Sequence, residues 1–346
     1  MSEMKPLITI AIPTYKRPKY LKQAIDSAVN QKNVNINYDI IVVNNDPETD
    51  MSYIENQYKS SAVSVSFFTN DHNLGMLGNV NRCVELARGK YISFLHDDDL
   101  LLDDYICSIG SVLKNNNIPC LIPKRYLLFE GKSGKKNGLE KKRRKKSFLK
   151  HCFISRLFKQ NKLIPLHVED NVYCWQNCYC APSCGVLFDK DVIKKYNLFF
   201  PEGTLSWDFI SFLHLNKNET IYIYDKVLSV YRMTVGLSLK DTTQYDFYKS
   251  FDDLLNDCKK NKICIDFVSK YENEIRYLNY VSLSSSGADY VKSKEKNVVD
   301  NLSDKHKYTI FMFNRIKYWS EKRLDVEIPL NQKGINRLKK MKVITE

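Results

Sequence analysis

The sequence lacks any long apolar run. No stretch reaches the roughly 18–20 uninterrupted apolar residues that a membrane-spanning helix needs, and the apolar run near the N-terminus is too short for a signal peptide. No internal repeat is visible either. These absences lead us to expect a cytoplasmic protein. Because nothing indicates secretion, we interpret the ten cysteines as reduced core residues rather than as a disulfide framework.

Apolar residues are plentiful, and positive charge is concentrated in one place. The chain has 346 residues and is 43% hydrophobic, which is enough to fill a sizeable core and excludes a disordered protein. Residues 132–150 contain ten lysines or arginines and one glutamate, so this segment carries +9 of the formal net charge of +13. The basicity is therefore a patch and not a property of the whole surface.

Two interpretations of this basic segment stay open. Its flank is apolar, with Phe148, Leu149, Phe153, Ile154, Leu157 and Phe158. Segment 132–158 thus resembles an anchor to an anionic membrane surface, in which apolar residues supply burial and basic residues supply attraction to lipid. That would place the protein at the inner face of the cell membrane. The alternative is a solvated insertion at 130–160 without a partner. We expect no binding to nucleic acid.

Strand and helix patterns alternate through the first part of the chain. The predicted strands are 7–12, 39–43, 63–68, 91–95 and 120–123, and the predicted helices are 17–31, 48–59, 80–87 and 103–113. We expect the first strand to end at Pro13. The alternation predicts an α/β fold, a Rossmann-like αβα sandwich with a mostly parallel sheet. Short strands follow at 221–224 and 227–231, and helices beyond residue 242, including 308–319.

Residues 91–104 combine a predicted buried strand with a run of acids. Asp97, Asp98 and Asp99 follow the strand at its carboxyl end, where open α/β sheets bind ligands. Adjacent carboxylates repel one another unless a cation, a hydrogen-bonded sugar or water offsets their charge. We interpret this motif as a hard-metal and nucleotide site; the alternative is a solvated acidic turn.

Four stretches resemble family 2 glycosyltransferases with the GT-A fold. In order, they are ITIAIPTYKRPKYLKQAIDSAVNQ, IIVVNNDPETD, NLGMLGNVNRCVELARGKYISFLHDDDLL and SWDFISFLHL. The similarity is strong over residues 1–125, weaker to residue 239 and absent beyond. It implies a GT-A domain with a C-terminal helical extension, divided as 1–240 for the GT-A domain (1–117 nucleotide-sugar half, 130–160 basic insertion, 170–240 acceptor half) and 241–346 for the helical region.

The resemblance implies a nucleoside-diphosphate sugar donor, with a UDP-sugar favoured. It places donor contacts on Thr14, Tyr15, Arg17, Asn44, Asn45, Asn79, Asp97 and Arg232. A hydroxyl and a flat ring at Thr14 and Tyr15 suit a nucleotide base, although a plain turn is the alternative. Asn44 stands where the family usually has Asp, and an amide both donates and accepts, so the base need not be uracil. Asn79 is assigned to the diphosphate or ribose; the alternative is that Asn73 and Gly75 of the same stretch are ordinary turn residues.

The resemblance also implies a divalent cation. Asp98 is the expected ligand, with Asp99 as a second ligand or orienting group and Asp97 directed toward the ribose. Mg²⁺ or Mn²⁺ fits oxygen ligation completed by phosphates and waters. Besides Asn44, two positions around the donor site depart from common family choices. His96 stands where an Asp often begins the acidic motif, although a variant with His is also familiar, and Thr234 stands where many relatives carry a His.

Acceptor activation is assigned to the stretch that begins at residue 206. An inverting transfer needs a carboxylate on the face opposite the leaving group, and the family supplies it from an acidic pair. Here Trp207 replaces the usual Glu, which leaves Asp208 as the expected base, and Trp207 is expected to stack on a sugar and so to bind substrate. The alternative is that Trp207 is a core residue and Asp208 a helix N-cap.

We therefore expect an enzyme that moves a sugar, with inversion, to a hydroxyl of a glycan or lipid-linked acceptor, in surface polysaccharide or glycolipid synthesis. A sugar nucleotidyltransferase is one alternative, but the first turn lacks the glycines of a phosphate-cradling loop. A non-catalytic nucleotide- or RNA-binding protein is another. Lastly, the spacing of Cys174, Cys178, Cys180 and Cys184 differs from the paired C-x2-C of zinc sites, so we interpret these thiols as packing groups, with a metal site as the alternative.

Overall fold

The structure is a computed structural model. It describes residues 5–129, 163–166, 184–199, 207–233, 241–263, 285–294, 327–329 and 332–341, and the single positions 269, 272 and 276. At 207–209 the backbone is described and the side chains are not. Several predicted features lie outside the described residues, namely the basic insertion at 130–160, Cys174, Cys178, Cys180, Thr234 and the helix predicted at 308–319.

Strands and helices alternate up to residue 94. The elements are β1 Ile8–Thr14, α1 Pro18–Val29, β2 Tyr38–Asn44, α2 Ser52–Tyr58, β3 Val65–Thr69, α3 Gly75–Leu86 and β4 Tyr91–Phe94. β1 pairs with both β2 and β4, and β2 pairs with β3, all in parallel. The predicted succession of βαβ units is confirmed, and it brings the carboxyl ends of all four strands to one edge of the sheet.

The same sheet continues beyond β4. The further elements are β5 Leu100–Leu101, α4 Tyr105–Leu113, β6 Cys120–Phe129, β7 Leu163–Leu166, β8 Leu187–Asp189, α5 Lys190–Lys195, α6 Trp207–Asn218, β9 Ile221–Met233, α7 Asp241–Lys260, α8 Ser285–Lys294, β10 Glu327–Pro329 and α9 Gln332–Lys340. Within the described ranges, the strands form one sheet of ten in the order β3-β2-β1-β4-β8-β6-β9-β5, with β10 on β6 and β7 on β9. Parallel pairings outnumber antiparallel ones, and the predicted α/β class is confirmed.

Helices cover both faces of the sheet because alternate residues of each strand face opposite sides. On one face, α1 buries Leu21, Ala24, Ile25 and Ala28 against Ile8, Ile10 and Ile12 of β1. On the other face, α3 buries Val80, Cys83 and Val84 against Ala11, Ile41 and Val43. Each fully buried aliphatic side chain contributes about 1.5–3 kcal/mol. This packing fixes the strand ends that carry the site.

β1 continues through Pro13, where we expected it to end. Alternation along this strand directs the backbone groups of residues 9, 11 and 13 toward β4, as the Ala11 carbonyl shows by accepting from the Leu95 amide. The last β4 pairing is Ala11 with Phe94. Pro13 therefore points past the end of β4, where its missing N–H removes no ladder hydrogen bond.

β9 is one strand of 13 residues, whereas the sequence predicts two runs. Its partner β6 pairs Pro123 with Tyr224 and then Lys124 with Val227, so two residues of β9 bulge out of the ladder. The residues skipped at this shift are Asp225 and Lys226, the polar pair that interrupts the apolar pattern, and a second shift, from Lys124 to Arg125, skips Leu228. Asp225 forms an ion pair with Lys124, whose Nζ lies 2.6 Å from Asp225 Oδ1. The strand continues beyond this bulge.

Gly89, in the turn between α3 and β4, has no room for a side chain. Its amide donates to Oγ1 of Thr9 at 2.8 Å. An added Cβ would lie 2.6 Å from the Thr9 nitrogen and 2.7 Å from the Tyr91 carbonyl oxygen. Because both are backbone atoms of paired strands, Gly89→Ala should lower the free energy of unfolding by about 2 kcal/mol or more in urea titrations.

Gly75 supplies the matched control. It has φ +72° and no atom within 4 Å of an added Cβ, so Gly75→Ala meets only the left-handed backbone penalty of about 1 kcal/mol. Equal losses for the two variants would contradict the steric explanation.

Candidate active site

The acidic motif lies at the carboxyl edge of the sheet, beside the turns that follow β1 and β2. Asp97 and Asp99 are buried, and Asp98 is partly buried. The turn after β1 contributes Thr14, Tyr15 and Arg17. Three segments that are distant in the sequence therefore meet at one point because their strands are parallel neighbours.

Asp97 is held by the turn that follows β1. Thr14 Oγ1 donates to Asp97 Oδ2 at 2.8 Å, and the Tyr15 amide donates to the same oxygen at 3.3 Å. The Tyr15 ring remains exposed, with the Lys16 ammonium 5.2 Å from its centroid. An exposed ring beside a buried carboxylate is the arrangement that base stacking near a ribose requires.

Arg17 provides a positive charge against the acids. Its Nη1 lies 2.5 Å from Asp98 Oδ2 and 3.5 Å from Asp97 Oδ1. Its side chain is about a third exposed, at 32%. Arg17 therefore contacts both the expected cation ligand and the expected ribose ligand.

Asp99 links the motif to β9. Its Oδ1 accepts from the Arg232 backbone amide at 2.8 Å, and its Oδ2 lies 3.1 Å from His96 Nδ1. The guanidinium of Arg232 donates to Gln23 Oε1 and lies 5.3 Å from the centre of the Tyr20 ring. Tyr20 and Gln23 were not among the predicted site residues, although their i, i+3 spacing on α1 places them on one helix face.

His96, Asp98 and Asp99 have the geometry of a cation site. One potential ligand atom from each lies within 4.8 Å of the other two. Carboxylate oxygens keep lone pairs after accepting one hydrogen bond, so Asp99 remains able to coordinate. Two carboxylates fit Mg²⁺ or Mn²⁺, and the imidazole nitrogen in the place of an oxygen is better suited to Mn²⁺. The residues present therefore fit a divalent cation.

Burial raises the proton affinity of these acids. It raises the pKa of Asp97 to about 6, aided by the charge of Asp98, although the Thr14 hydrogen bond and Arg17 act in the opposite direction. Burial and the charge of Asp99 likewise raise the pKa of Asp98. For His96, burial alone would lower the pKa, but the hydrogen bond and charge of Asp99 raise it. The protein's own hydrogen bonds and charges therefore do not fully offset the cost of burying these carboxylates.

Asn44 is buried at the end of β2 and bonds to its own loop. Its Nδ2 donates to the Asp46 carbonyl at 2.7 Å, and its Oδ1 accepts from the Asp46 amide at 3.1 Å. This pair of bonds fixes the turn after β2. The expected contact of Asn44 with a base stays a prediction.

Asn45 and Asn79 belong to a network of asparagine side chains. Asn45 donates to Asn73 Oδ1 at 2.8 Å, and Asn70 donates both to Asn45 at 3.0 Å and to Asn79 at 2.9 Å. Asn79 donates in turn to the Val43 carbonyl at 3.1 Å. These bonds join the loop before α3 to the end of β2, and donor contacts of Asn45 and Asn79 stay predictions. Asn70 was missed, although it follows β3 at the same sheet edge.

Other expected site residues are described only in part. Trp207 and Asp208 begin α6, but their side chains lie outside the described part of the structure. Of the four cysteines, Cys184 is described and is buried as a free thiol whose pKa burial raises. Among the helices the structure describes, none combines the length and apolarity that crossing a membrane requires.

Comparison with known proteins gives the same family that the sequence motifs resemble. Residues 9–196, more than half of the chain, match glycosyl transferase family 2. An uncharacterized glycosyltransferase of Methanocaldococcus jannaschii is 34% identical over 113 residues, which are 32% of this chain and 39% of the relative. A GalNAc(5)-diNAcBac-PP-undecaprenol beta-1,3-glucosyltransferase of Campylobacter jejuni is 30% identical over 210 residues, which are 56% of this chain and 65% of the relative. The chain thus spans less than two thirds of either protein.

A solved structure is similar over most of the chain. The crystal structure of S. aureus TarS 1-349 in complex with UDP-GlcNAc gives a TM-score of 0.55 at 14% identity, covering 92% of this chain and 90% of that chain. At this identity the likeness concerns the fold, and it agrees with the predicted architecture.

The raised pKa of Asp97 generates a prediction about stability. The folded protein holds this proton more tightly than the unfolded chain, whose Asp titrates at 3.8, so stability falls as the pH rises from about 4 to about 6. Asp97→Asn keeps an acceptor for Thr14 and removes the charge. Its stability relative to the native protein should increase by about 2 kcal/mol between pH 4 and pH 7.

Urea titrations without divalent cations, at pH 4 and pH 7, measure this change. Asp50→Asn is the control because hydrogen bonds from the Ser52 amide and hydroxyl lower the pKa of the exposed Asp50, so no such gain is expected. A pH-independent effect of Asp97→Asn would contradict the assignment.

Proposed function

Because this chain belongs to glycosyl transferase family 2, we propose that it transfers a sugar from a nucleoside-diphosphate sugar to an acceptor hydroxyl with inversion. The observation that carries the proposal is the meeting of Asp97, Asp98 and Asp99 with Thr14, Tyr15 and Arg17 at the carboxyl edge of the sheet. Carboxylates for a cation, an exposed ring for a base and a guanidinium for a phosphate are the groups that such a donor needs.

The donor lies along this edge, with its nucleoside toward β1 and β2. The Tyr15 ring stacks on the base, and Asp97 accepts from a ribose hydroxyl. The asparagine network keeps the β2 and α3 turns in place, so these contacts meet a preorganised surface. A UDP-sugar is the favoured donor.

Asp98 and Asp99 hold Mg²⁺ or Mn²⁺ in this proposal, with His96 adjacent. When bound, the cation supplies positive charge against the diphosphate leaving group. Arg17 contacts Asp98 through a side chain with solvent access, so it is able to turn toward the diphosphate when the carboxylate gains another partner. Arg232 adds a second guanidinium at the end of β9. These charges favour departure of the nucleoside diphosphate.

Asp208 is the proposed base. It accepts the proton of the acceptor hydroxyl as the oxygen attacks the anomeric carbon from the face opposite the diphosphate, which inverts that carbon. Trp207 stacks on a sugar ring. The acceptor is proposed to be a glycan or lipid-linked glycan of surface polysaccharide or glycolipid synthesis, in line with the undecaprenol-linked substrate in the name of the Campylobacter relative. Segment 132–158 would keep the enzyme at an anionic membrane surface, where such acceptors lie.

Binding of cation and nucleotide tests the donor site. UDP or GDP with Mn²⁺, at one hundred times the dissociation constant, should stabilise the protein by about 2.7 kcal/mol. Asp98→Asn should lose most of this because the cation loses a charged ligand. Thermal unfolding with nucleotide, with Mn²⁺ and with both measures the effect.

Asp71→Asn is the control, since Asp71 is an exposed acid at the same sheet edge. An unchanged response of Asp98→Asn would contradict its role. A panel of nucleotide sugars then identifies the donor, and release of pyrophosphate instead of nucleoside diphosphate would indicate a nucleotidyltransferase.

Loss of the base should affect turnover and leave donor binding unchanged. Asp208→Asn keeps the size of the side chain and removes the proton acceptor, so transfer should fall by about 10²–10⁴-fold. The nucleotide dissociation constant should stay within about twofold. Release of nucleoside diphosphate during transfer to an acceptor is measured, with exposed Asp191→Asn as the control. Near-native turnover of Asp208→Asn would assign the base to another residue.

A further inference from the structure

The C-terminal segment, defined here as β10 and α9 (residues 327–341), returns to the acidic motif. β10 adds to the main sheet in parallel with β6, pairing Glu327 with Arg125 and Pro329 with Leu127. The segment begins more than a hundred residues beyond the end of the family match at residue 196. A part of the chain that the family resemblance does not cover is therefore built into the sheet that carries the site.

The first contact of α9 with the motif is apolar. Leu338 is fully buried in a cluster of its own with Leu100, Leu102, Tyr126, Leu128 and Val230. Leu100 directly follows Asp99 in the chain. The helix therefore shares an apolar cluster with the residue next to a proposed cation ligand.

The second contact is charged. Arg337 donates through Nε to Asp103 Oδ1 at 3.0 Å and through Nη2 to Asp104 Oδ1 at 2.6 Å. Burial alone would raise the pKa of Asp103, but the hydrogen bonds from Lys32 and Arg337 lower it. One planar guanidinium thus bridges two successive carboxylates, a geometry that a single ammonium does not reproduce.

Between these anchors lies β5, a strand of only two residues. Val230 and Ser229 of β9 pair with Leu100 and Leu101, and the Leu102 amide donates to the Leu228 carbonyl at 2.8 Å. So short a strand contributes little stability of its own and depends on its packing. Its N-terminal end carries Asp98 and Asp99, and its C-terminal end carries the acids that Arg337 holds.

We propose that Arg337 is a positioning residue for the donor site. Arg337, on α9, holds Asp103 and Asp104. This contact fixes β5 and keeps Asp98 and Asp99 in the arrangement that binds the cation. This proposal rests on the proposed function, since it assigns a role to the same site.

Three variants test it. Arg337→Ala removes the bridge, Arg337→Lys keeps one charge without the fork, and Lys340→Ala changes an exposed residue of the same helix. Mn²⁺ binding without nucleotide should be about tenfold weaker in Arg337→Ala, as for residues that orient metal ligands, intermediate in Arg337→Lys and unchanged in Lys340→Ala. Hydrogen exchange of residues 98–102 should become faster in the same order.

Kinetics and unfolding separate positioning from general stability. The KM for the donor should rise in Arg337→Ala with a smaller change in kcat for bound donor, while the urea midpoint stays near the native value, because a part-exposed ion pair adds little to global stability. Asp104→Asn removes the charge of a partner of Arg337. If both changes act through the same contact, the double variant should bind Mn²⁺ no more weakly than Arg337→Ala alone.

The outcomes distinguish this proposal from the function it rests on. If the native protein binds Mn²⁺ and nucleotide and Arg337→Ala binds them equally well, the positioning role is wrong and the function stands. If the native protein binds neither, both are wrong. A fall in Mn²⁺ affinity that matches the loss of global stability in all variants would also overturn the positioning role.

Discussion

The burial of three consecutive carboxylates at the end of β4 is the constraint on which the site depends. Water offsets such charge cheaply on a surface, but Asp97 and Asp99 have little access to it. Hydrogen-bond donors and positive charges reach these acids from three parts of the chain. Thr14 ends β1 and Arg17 follows it, His96 belongs to the motif itself, and the Arg232 amide comes from β9. Burial, together with the charge of the neighbouring carboxylate, still raises the pKa values of Asp97 and Asp98. A divalent cation is the proposed complement to this arrangement.

Parallel strand order makes this convergence unavoidable. Because β1, β2 and β4 are neighbours and run in the same direction, the turns after them share one edge. The buried asparagines then hold those turns to one another, from Asn45 through Asn70 to Asn79. Amides suit this purpose because each both donates and accepts, whereas another carboxylate would add to the charge already present. The same reason explains Asn44, which stands where the family usually has Asp: its amide both donates and accepts, and so fixes its own loop.

The C-terminal segment gives the acidic motif a second support. Family resemblance ends well before it, yet α9 buries Leu338 in one apolar cluster with Leu100 and bridges Asp103 and Asp104 with Arg337. A two-residue strand between the proposed cation ligands and these acids is too short to be rigid alone. The C-terminal segment, which lies outside the family match, is thus placed where it can affect the position of the acidic motif.

The sequence by itself determined the alternating strands and helices, the acidic motif and its place at a strand end, because periodicity and side-chain chemistry are local properties. Family resemblance assigned Thr14, Tyr15 and Arg17 to the same donor site as this motif. Only the tertiary structure decided which distant groups meet the acids: the Arg232 amide lies 133 residues from Asp99, and Arg337 lies 234 residues from Asp103. It also decided that Pro13 stays within β1 and that Asp225 and Lys226 bulge from β9. These outcomes depend on where a neighbouring strand ends or shifts its register, and no local pattern encodes that.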